Sequence, residues 1–252
     1  MNATTALAWS CYFFGLTHLE PAVVNTIHTG MGPLTVLSLA GLGSRLVRPS
    51  AVGALEYGCF AGIALSLAGL WWVVLSGRSG LGVESLATSA GGLALLSVSG
   101  ASITVSLLYS KRLNEAGVGS DALTAVRYLL MIGLAAGLAT CRDSAQPLAS
   151  ASELSVLTVA ALALIVVPTF VMQAGIVRTA PLTAHVIRGL GPVCIFAVEQ
   201  YDQRMTYSSP TLACILAYSA FAIASNVVHG WRHAGGGATA GDVGSGPAGP
   251  VR

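Results

Sequence analysis

Long, mainly apolar runs follow one another along this chain with only short polar breaks between them. They cover residues 3–17, 21–42, 57–76, 86–109, 122–141, 154–177, 181–200 and 210–228. A helix needs about 20 apolar residues to cross the hydrocarbon of a bilayer. Inside that hydrocarbon no water satisfies backbone N–H and C=O groups, so each run must close its own hydrogen bonds. Only 9% of the 252 residues are charged and 54% are hydrophobic, whereas a soluble domain carries about 25% charged residues. The expected fold is therefore all-α: a polytopic transmembrane helical bundle of about eight helices. A soluble catalytic domain has no room in such a chain.

The remaining composition excludes more than it identifies. The net charge is +2, and no basic run suits nucleic acid. Cys11, Cys59, Cys141, Cys194 and Cys214 form no CxxC pair, so neither a disulfide framework nor a metal site is implied. No HExxH, GxSxG or paired intramembrane carboxylates occur, so catalytic residues, cofactors and metal ligands are expected to be absent. The tail, residues 231–252, is rich in Gly and Ala and reads as disordered.

Loop charge gives an orientation. With eight spans, Arg45, Arg48, Lys111, Arg112, Arg178 and Arg232 fall on one side, and Arg78, Arg142 and Arg204 on the other. The positive-inside rule places the first side, and both termini, in the cytoplasm. The high Ala and Gly content fits a GC-rich bacterial genome, and hence a bacterial inner membrane.

The polar groups inside the runs are not scattered at random. Residues 15–33 read GLTHLEPAVVNTIHTGMGP, and residues 175–192 read GIVRTAPLTAHVIRGLGP. Gly15, His18 and Pro21 match Gly175, Arg178 and Pro181; after a slip of one residue, Gly30, Gly32 and Pro33 match Gly189, Gly191 and Pro192. The same helix pair occurs twice, and the loop assignment makes the second copy inverted. Inverted repeats that meet near the midplane are a common carrier plan.

The runs at 154–228 pair with those at 3–76, which leaves the runs at 86–141 without counterparts. Either two helices were acquired mid-chain, or a first pair is missing before residue 1. The two Gly-Pro hairpins, with LYSKRLNEAGVGSDALTAVRYLL at 108–130 and FAGIALSLAGLWWVVLSG at 60–77, resemble the drug/metabolite transporter superfamily, specifically its EamA type. The resemblance spans about residues 5–230. It implies a ten-helix plan of two inverted five-helix repeats, here lacking the first two helices. Residues 1–80 would be the incomplete first repeat with three helices, and residues 81–230 the second with five.

Several residues are candidates for contact with a substrate. His185, Arg188, Pro192 and Glu199 fall on one face of the run at 181–200. A charge as deep as Arg188 costs at least ~2.5–3.5 kcal/mol on insertion scales. It is expected to bind an anionic substrate group such as a carboxylate, or else to snorkel or pair with another helix. Asn25, His28, Thr29 and Gly32 share a face on the run at 21–42, opposite it. His28 titrates near neutral pH when unperturbed; it either carries a coupling proton or bonds a neighbouring helix. Gln173, five residues after Pro168, either lines a cavity or bonds between helices. Arg127 is expected to anchor at the interface, as is Glu199. Gly91, Gly92 and Gly100 are expected to let helices pack closely.

The function that follows is transport or export of a small metabolite or drug by alternating access, with proton coupling compatible with it. Substrate contacts would come from Asn25, His28, Gln173, His185 and Arg188. The partners would be a small anionic or amino-acid-like molecule and the lipid bilayer; a homodimer is compatible with this. The alternative is a truncated, non-transporting membrane protein or an assembly partner of the same superfamily.

Overall fold

The computed structural model describes residues 1–47, 53–81, 85–140, 150–161, 163, 181–203 and 205–237. Among these, nine α-helices occur: α1 (Asn2–His18), α2 (Pro21–Gly41), α3 (Ala54–Leu75), α4 (Leu86–Glu115), α5 (Ser120–Arg127), α6 (Leu129–Thr140), α7 (Ala151–Ala161), α8 (Pro181–Glu199) and α9 (Ser209–Gly237). Three stretches, Ala54–Leu75, Leu86–Glu115 and Ser209–Trp231, are long and apolar enough to cross a membrane. Bulky apolar side chains also cover the outside: Leu65 is 73% and Leu138 is 74% exposed. Such a surface suits lipid rather than water. The chain is an all-helical membrane bundle.

Local chemistry sets most of the boundaries. Leu19 is extended at the end of α1, and Pro21 disfavours helix at Glu20 before it. Pro21 then opens α2, where a missing N–H costs nothing. At the start of α4 the Ser85 hydroxyl caps the helix, accepting the Thr88 N–H at 3.0 Å. Beyond α3, Gly77 takes φ +68° and closes the helix end.

Four expectations need correction. The run at 86–109 continues as helix to Glu115, so Lys111, Arg112, Asn114 and Glu115 lie on α4 and not in a loop. Straight-chain charged residues are good helix formers, and Arg112 lies 3.8 Å from Glu115 one turn on. The run at 122–141 is broken at Tyr128 into α5 and α6. The Arg127 guanidinium lies over the Tyr128 ring at this break. Arg127 does not act only as an outer anchor: its Nε donates to Thr5 Oγ1 at 3.3 Å. Thr5 in turn shares a 2.7 Å hydrogen bond with Ser106, joining α1 and α4. Finally, α9 carries on through Gly237, so residues 231–237 of the expected tail are helical.

Helix α2 is the hub, packing against α1, α3, α4, α8 and α9. Its Ala22, Val23, Val24 and Ile27 are fully buried and meet Ile63, Leu67, Leu93, Leu96, Ile215 and Tyr218. Helices associate in lipid through close packing, which favours small residues. Gly100 and Gly92 supply them, as expected: a Cβ on Gly100 would lie 2.5 Å from the His28 carbonyl oxygen, and one on Gly92 would lie 3.1 Å from Leu19. A Cβ on Gly91 would meet nothing within 4 Å among the described residues, so no close approach there requires a glycine.

The contacts also fix direction. Positions rise together along α2 and α4, where Leu19 meets Gly92, His28 meets Gly100 and Gly32 meets Thr104. Along α3 and α9 they run in opposition, since Gly62 meets Phe221 and Gly69 meets Cys214. Helices α2 and α8 are also antiparallel: Glu199 at the end of α8 bonds Ala22 at the start of α2, and Gly191 lies near Asn25. Thus α2 packs antiparallel to α8, and α3 antiparallel to α9. The ends of the bundle separate accordingly. One end gathers the α1–α2 turn with the loops 76–81 and 200–208, joined where the Thr206 N–H donates to the Gly80 carbonyl at 2.9 Å. The opposite end brings Arg112 onto the Arg45 carbonyl at 2.7 Å, so these two basic residues share a side as the loop argument requires.

Candidate functional site

A helix packed on several sides gives each strip of its surface a different neighbour. The four polar positions on α2 span an arc of about 100°, and the structure divides them. Asn25 and Thr29 turn toward α8 and α9. The Asn25 Nδ2 lies 3.9 Å from where a Cβ on Gly191 would stand. The Thr29 hydroxyl donates to the Asn25 carbonyl at 2.7 Å and accepts from the Tyr218 hydroxyl at 3.2 Å. Pro33 lies four residues on and donates no N–H to the Thr29 carbonyl, which loosens α2 beside this strip.

His28 turns the other way, toward α1 and α4. Its Nδ1 lies 2.9 Å from Ser99 Oγ. The Ser99 hydroxyl has one proton, and it donates that proton to the Ala8 carbonyl at 2.6 Å. It must therefore accept from Nδ1–H, which sets the tautomer and leaves Nε2 as the nitrogen able to take a proton. The Tyr12 ring packs edge-on at 4.9 Å, and Trp9 lies 6.3 Å away. The expectation that His28 shares a substrate face with Asn25 is thus corrected: His28 joins three helices, and Asn25 faces α8. Replacing Ser99 with Ala strands Nδ1–H and removes the second bond to the Ala8 carbonyl, which keeps its partner within α1. We expect a loss of about 1–3 kcal/mol, read as a lower melting temperature in detergent, with the same loss absent in Ser97→Ala, whose hydroxyl only returns to the Leu93 carbonyl within α4.

On the opposing helix, His185 and Arg188 lie in the first half of α8, with Arg188 just before the buried Gly189. Their side chains, and Gln173 altogether, lie outside the described residues. The Gly191-Pro192 step follows within a turn, with Gly191 half-buried against α2 and Pro192 inside the helix. A hollow lined by Ser152, Glu153, Val156 and Leu157 lies on α7, which packs against neither α2 nor α8 among the described residues.

A pair of acids escaped the sequence reading. Glu199, expected at the interface, is only 6% exposed, and Glu20, just before Pro21, is 2% exposed. The Glu199 Oε2 accepts the Ala22 N–H at 3.0 Å, placing a carboxylate at the positive end of α2. The Glu20 Oε2 accepts the Gly80 N–H at 2.8 Å, and Thr211 Oγ1 lies 3.5 Å from the same oxygen. Both carboxyl groups gather at the first turn of α2: Glu20 is its N-cap residue, and Glu199 bonds the N–H of Ala22 two residues on. They lie 179 positions apart in the chain, and only the antiparallel α2–α8 contact brings them together. Among the described residues no group of three His, Cys, Asp or Glu side chains could hold a metal ion.

Comparison with known protein families, with curated proteins and with solved structures gives no match.

Proposed function

We propose that this chain is a carrier of a small metabolite or drug, working by alternating access in the manner of the drug/metabolite transporter superfamily. The observation that carries the reading is the antiparallel packing of α2 against α8, each with a Gly-Pro step inside it. Two such hairpins, inverted relative to each other, can exchange conformations and so open a central site to either side in turn. Asn25 supplies an amide at the meeting line. Arg188, with His185 and Gln173, would supply positive and polar groups for an anionic or amino-acid-like substrate. Pro33 and Pro192 interrupt the backbone ladder of both helices, which gives each a point at which to bend. His28 serves as a junction between α1, α2 and α4, with Nε2 open to a coupling proton. The setting is a bacterial inner membrane with both termini in the cytoplasm.

The test is uptake by proteoliposomes holding the purified chain, challenged with a panel of labelled amino acids, monocarboxylates and cationic dyes. Saturable uptake of at least one anionic or zwitterionic compound is expected. Uptake no greater than in empty liposomes across the whole panel contradicts the reading.

A further inference from the structure

The buried acids at one end of the bundle have the layout of a clasp between its two halves. Glu20 belongs to the turn before α2 and is held by the 76–81 loop. Glu199 closes α8 and reaches back to the first turn of α2. Around them the Ser208 hydroxyl donates to the Arg78 carbonyl at 2.6 Å, and the Thr206 hydroxyl donates to the Gly80 carbonyl at 3.0 Å. Gly80 admits no side chain, because a Cβ there would lie 2.5 Å from the Thr206 carbonyl oxygen and 3.4 Å from the Glu20 carboxyl. The Phe196 and Tyr207 rings meet edge-on at 6.1 Å beside it. The Ala22–Glu199, Arg78–Ser208 and Gly80–Thr206 bonds join residues 1–80 to residues 81–230 at this end, while Glu20–Gly80 and Phe196–Tyr207 brace each side of it.

One atom in the clasp is unsatisfied. Glu199 Oε1 is buried and receives no hydrogen-bond donor. Among the described residues every protein donor at the pair goes to the other oxygens: Ala22 N–H to Glu199 Oε2, and Gly80 N–H and the Thr211 hydroxyl to Glu20 Oε2. Two buried carboxylates this close repel strongly when both are ionised. A single proton on either carboxyl removes that repulsion and supplies the O–H donor the pair lacks. Among the described residues, the ionisable groups carried by the adjoining elements are His18 on α1, Arg78 in the 76–81 loop, and Tyr201, Asp202 and Tyr207 in the 200–208 loop; Arg204 of that loop lies outside the described residues. The Arg78 guanidinium lies over the Trp72 ring at 5.1 Å.

We infer that Glu20 and Glu199 form a proton-binding site that locks this end of the bundle: with one proton shared, the end is closed, and with that proton released to water, the two carboxylates drive it open. The proton passes between a carboxyl oxygen and water, and no other bond changes. The inference rests on the carrier reading for its purpose, since a carrier needs a gate at each end, but the lock can be read without any transported substrate.

The experiment uses the full chain in liposomes, with its native cysteines replaced and spin labels at Ser76→Cys and Gln203→Cys, both exposed positions flanking the clasp. The distance between labels is followed from about pH 5 to about pH 9, a range that covers buried glutamates documented as high as about pH 8–9. The short-distance population is expected to dominate at the acid end and to lose at least ~10-fold in ratio to the long one across a single titration, as one unit of pKa difference between the states requires. Glu199→Gln keeps a donor beside Glu20 without the charge, so its distance should stay short throughout. An infrared band of a protonated carboxylic acid should vanish along the same titration. The inference is overturned if the unsubstituted clasp keeps one distance at every pH, or if the distance follows sodium at fixed pH. A pH-driven opening in a chain that transports nothing would sustain the lock while removing the carrier reading; transport with a pH-indifferent clasp would do the reverse.

Discussion

Alanine at Gly100 is expected to destabilise the chain by about 1–3 kcal/mol, the range for forcing atoms into a filled interior. The added carbon would lie 2.5 Å from the His28 carbonyl oxygen and 2.6 Å from the Met31 Cβ. The oxygen is backbone, so relief requires moving α2 away from α4 as a unit. That movement also stretches the 2.9 Å His28–Ser99 contact one residue earlier on α4. The proper comparison is Gly91→Ala on the same helix, where nothing lies within 4 Å. There the gain in helix propensity is the only term, up to about 1 kcal/mol in favour of alanine on the aqueous scale. Thermal unfolding of both variants in detergent should therefore show shifts of opposite sign. Equal shifts would mean that the α2–α4 contact is not the close one described.

Arg188→Ala is expected to lower uptake of an anionic substrate by about 10- to 150-fold, corresponding to the ~1.5–3 kcal/mol of one hydrogen bond to a charged group. Insertion should not suffer, because a deep arginine costs at least ~2.5–3.5 kcal/mol on the same helix. The chain should thus reach the membrane at least as well and yet carry less. Arg188→Lys should recover part of the loss, since it keeps the charge but not the planar fork of donors. Wild-type uptake in Arg188→Ala, measured in proteoliposomes at equal protein content, would remove this side chain from substrate binding.

Much of the architecture was legible because it is written in local chemistry. Pro21 and Pro181 each start a helix, and the Gly-Pro steps at 32–33 and 191–192 fall inside α2 and α8. Opposite directions for α2 and α8 follow from the alternation of successive runs, and the Ala22–Glu199 contact places the end of α8 at the start of α2. Gly92 and Gly100 were recognisable as packing positions; Gly91 was not separable from them, since which of two adjacent glycines faces a neighbour depends on helix rotation. The break at Tyr128 left no signal, because neither Gly nor Pro stands there. The division of Asn25 from His28 was hidden for a similar reason: an arc of polar positions looks like one face until the neighbours on each flank are known. Glu20 and Glu199 were furthest from view. Each looks like an ordinary helix-end acid, and only the packing of two helices distant in sequence buries one against the other.

The account as a whole depends on the α2–α8 meeting line serving as a path open to each side of the membrane in turn. Asn25→Cys in a chain otherwise free of cysteine, reconstituted in one orientation, tests this with a membrane-impermeant maleimide applied from each side separately. Labelling from both sides is predicted, with acidification shifting reactivity from the clasped end to the opposite one. Labelling from neither side, or from one side alone at every pH, would contradict it.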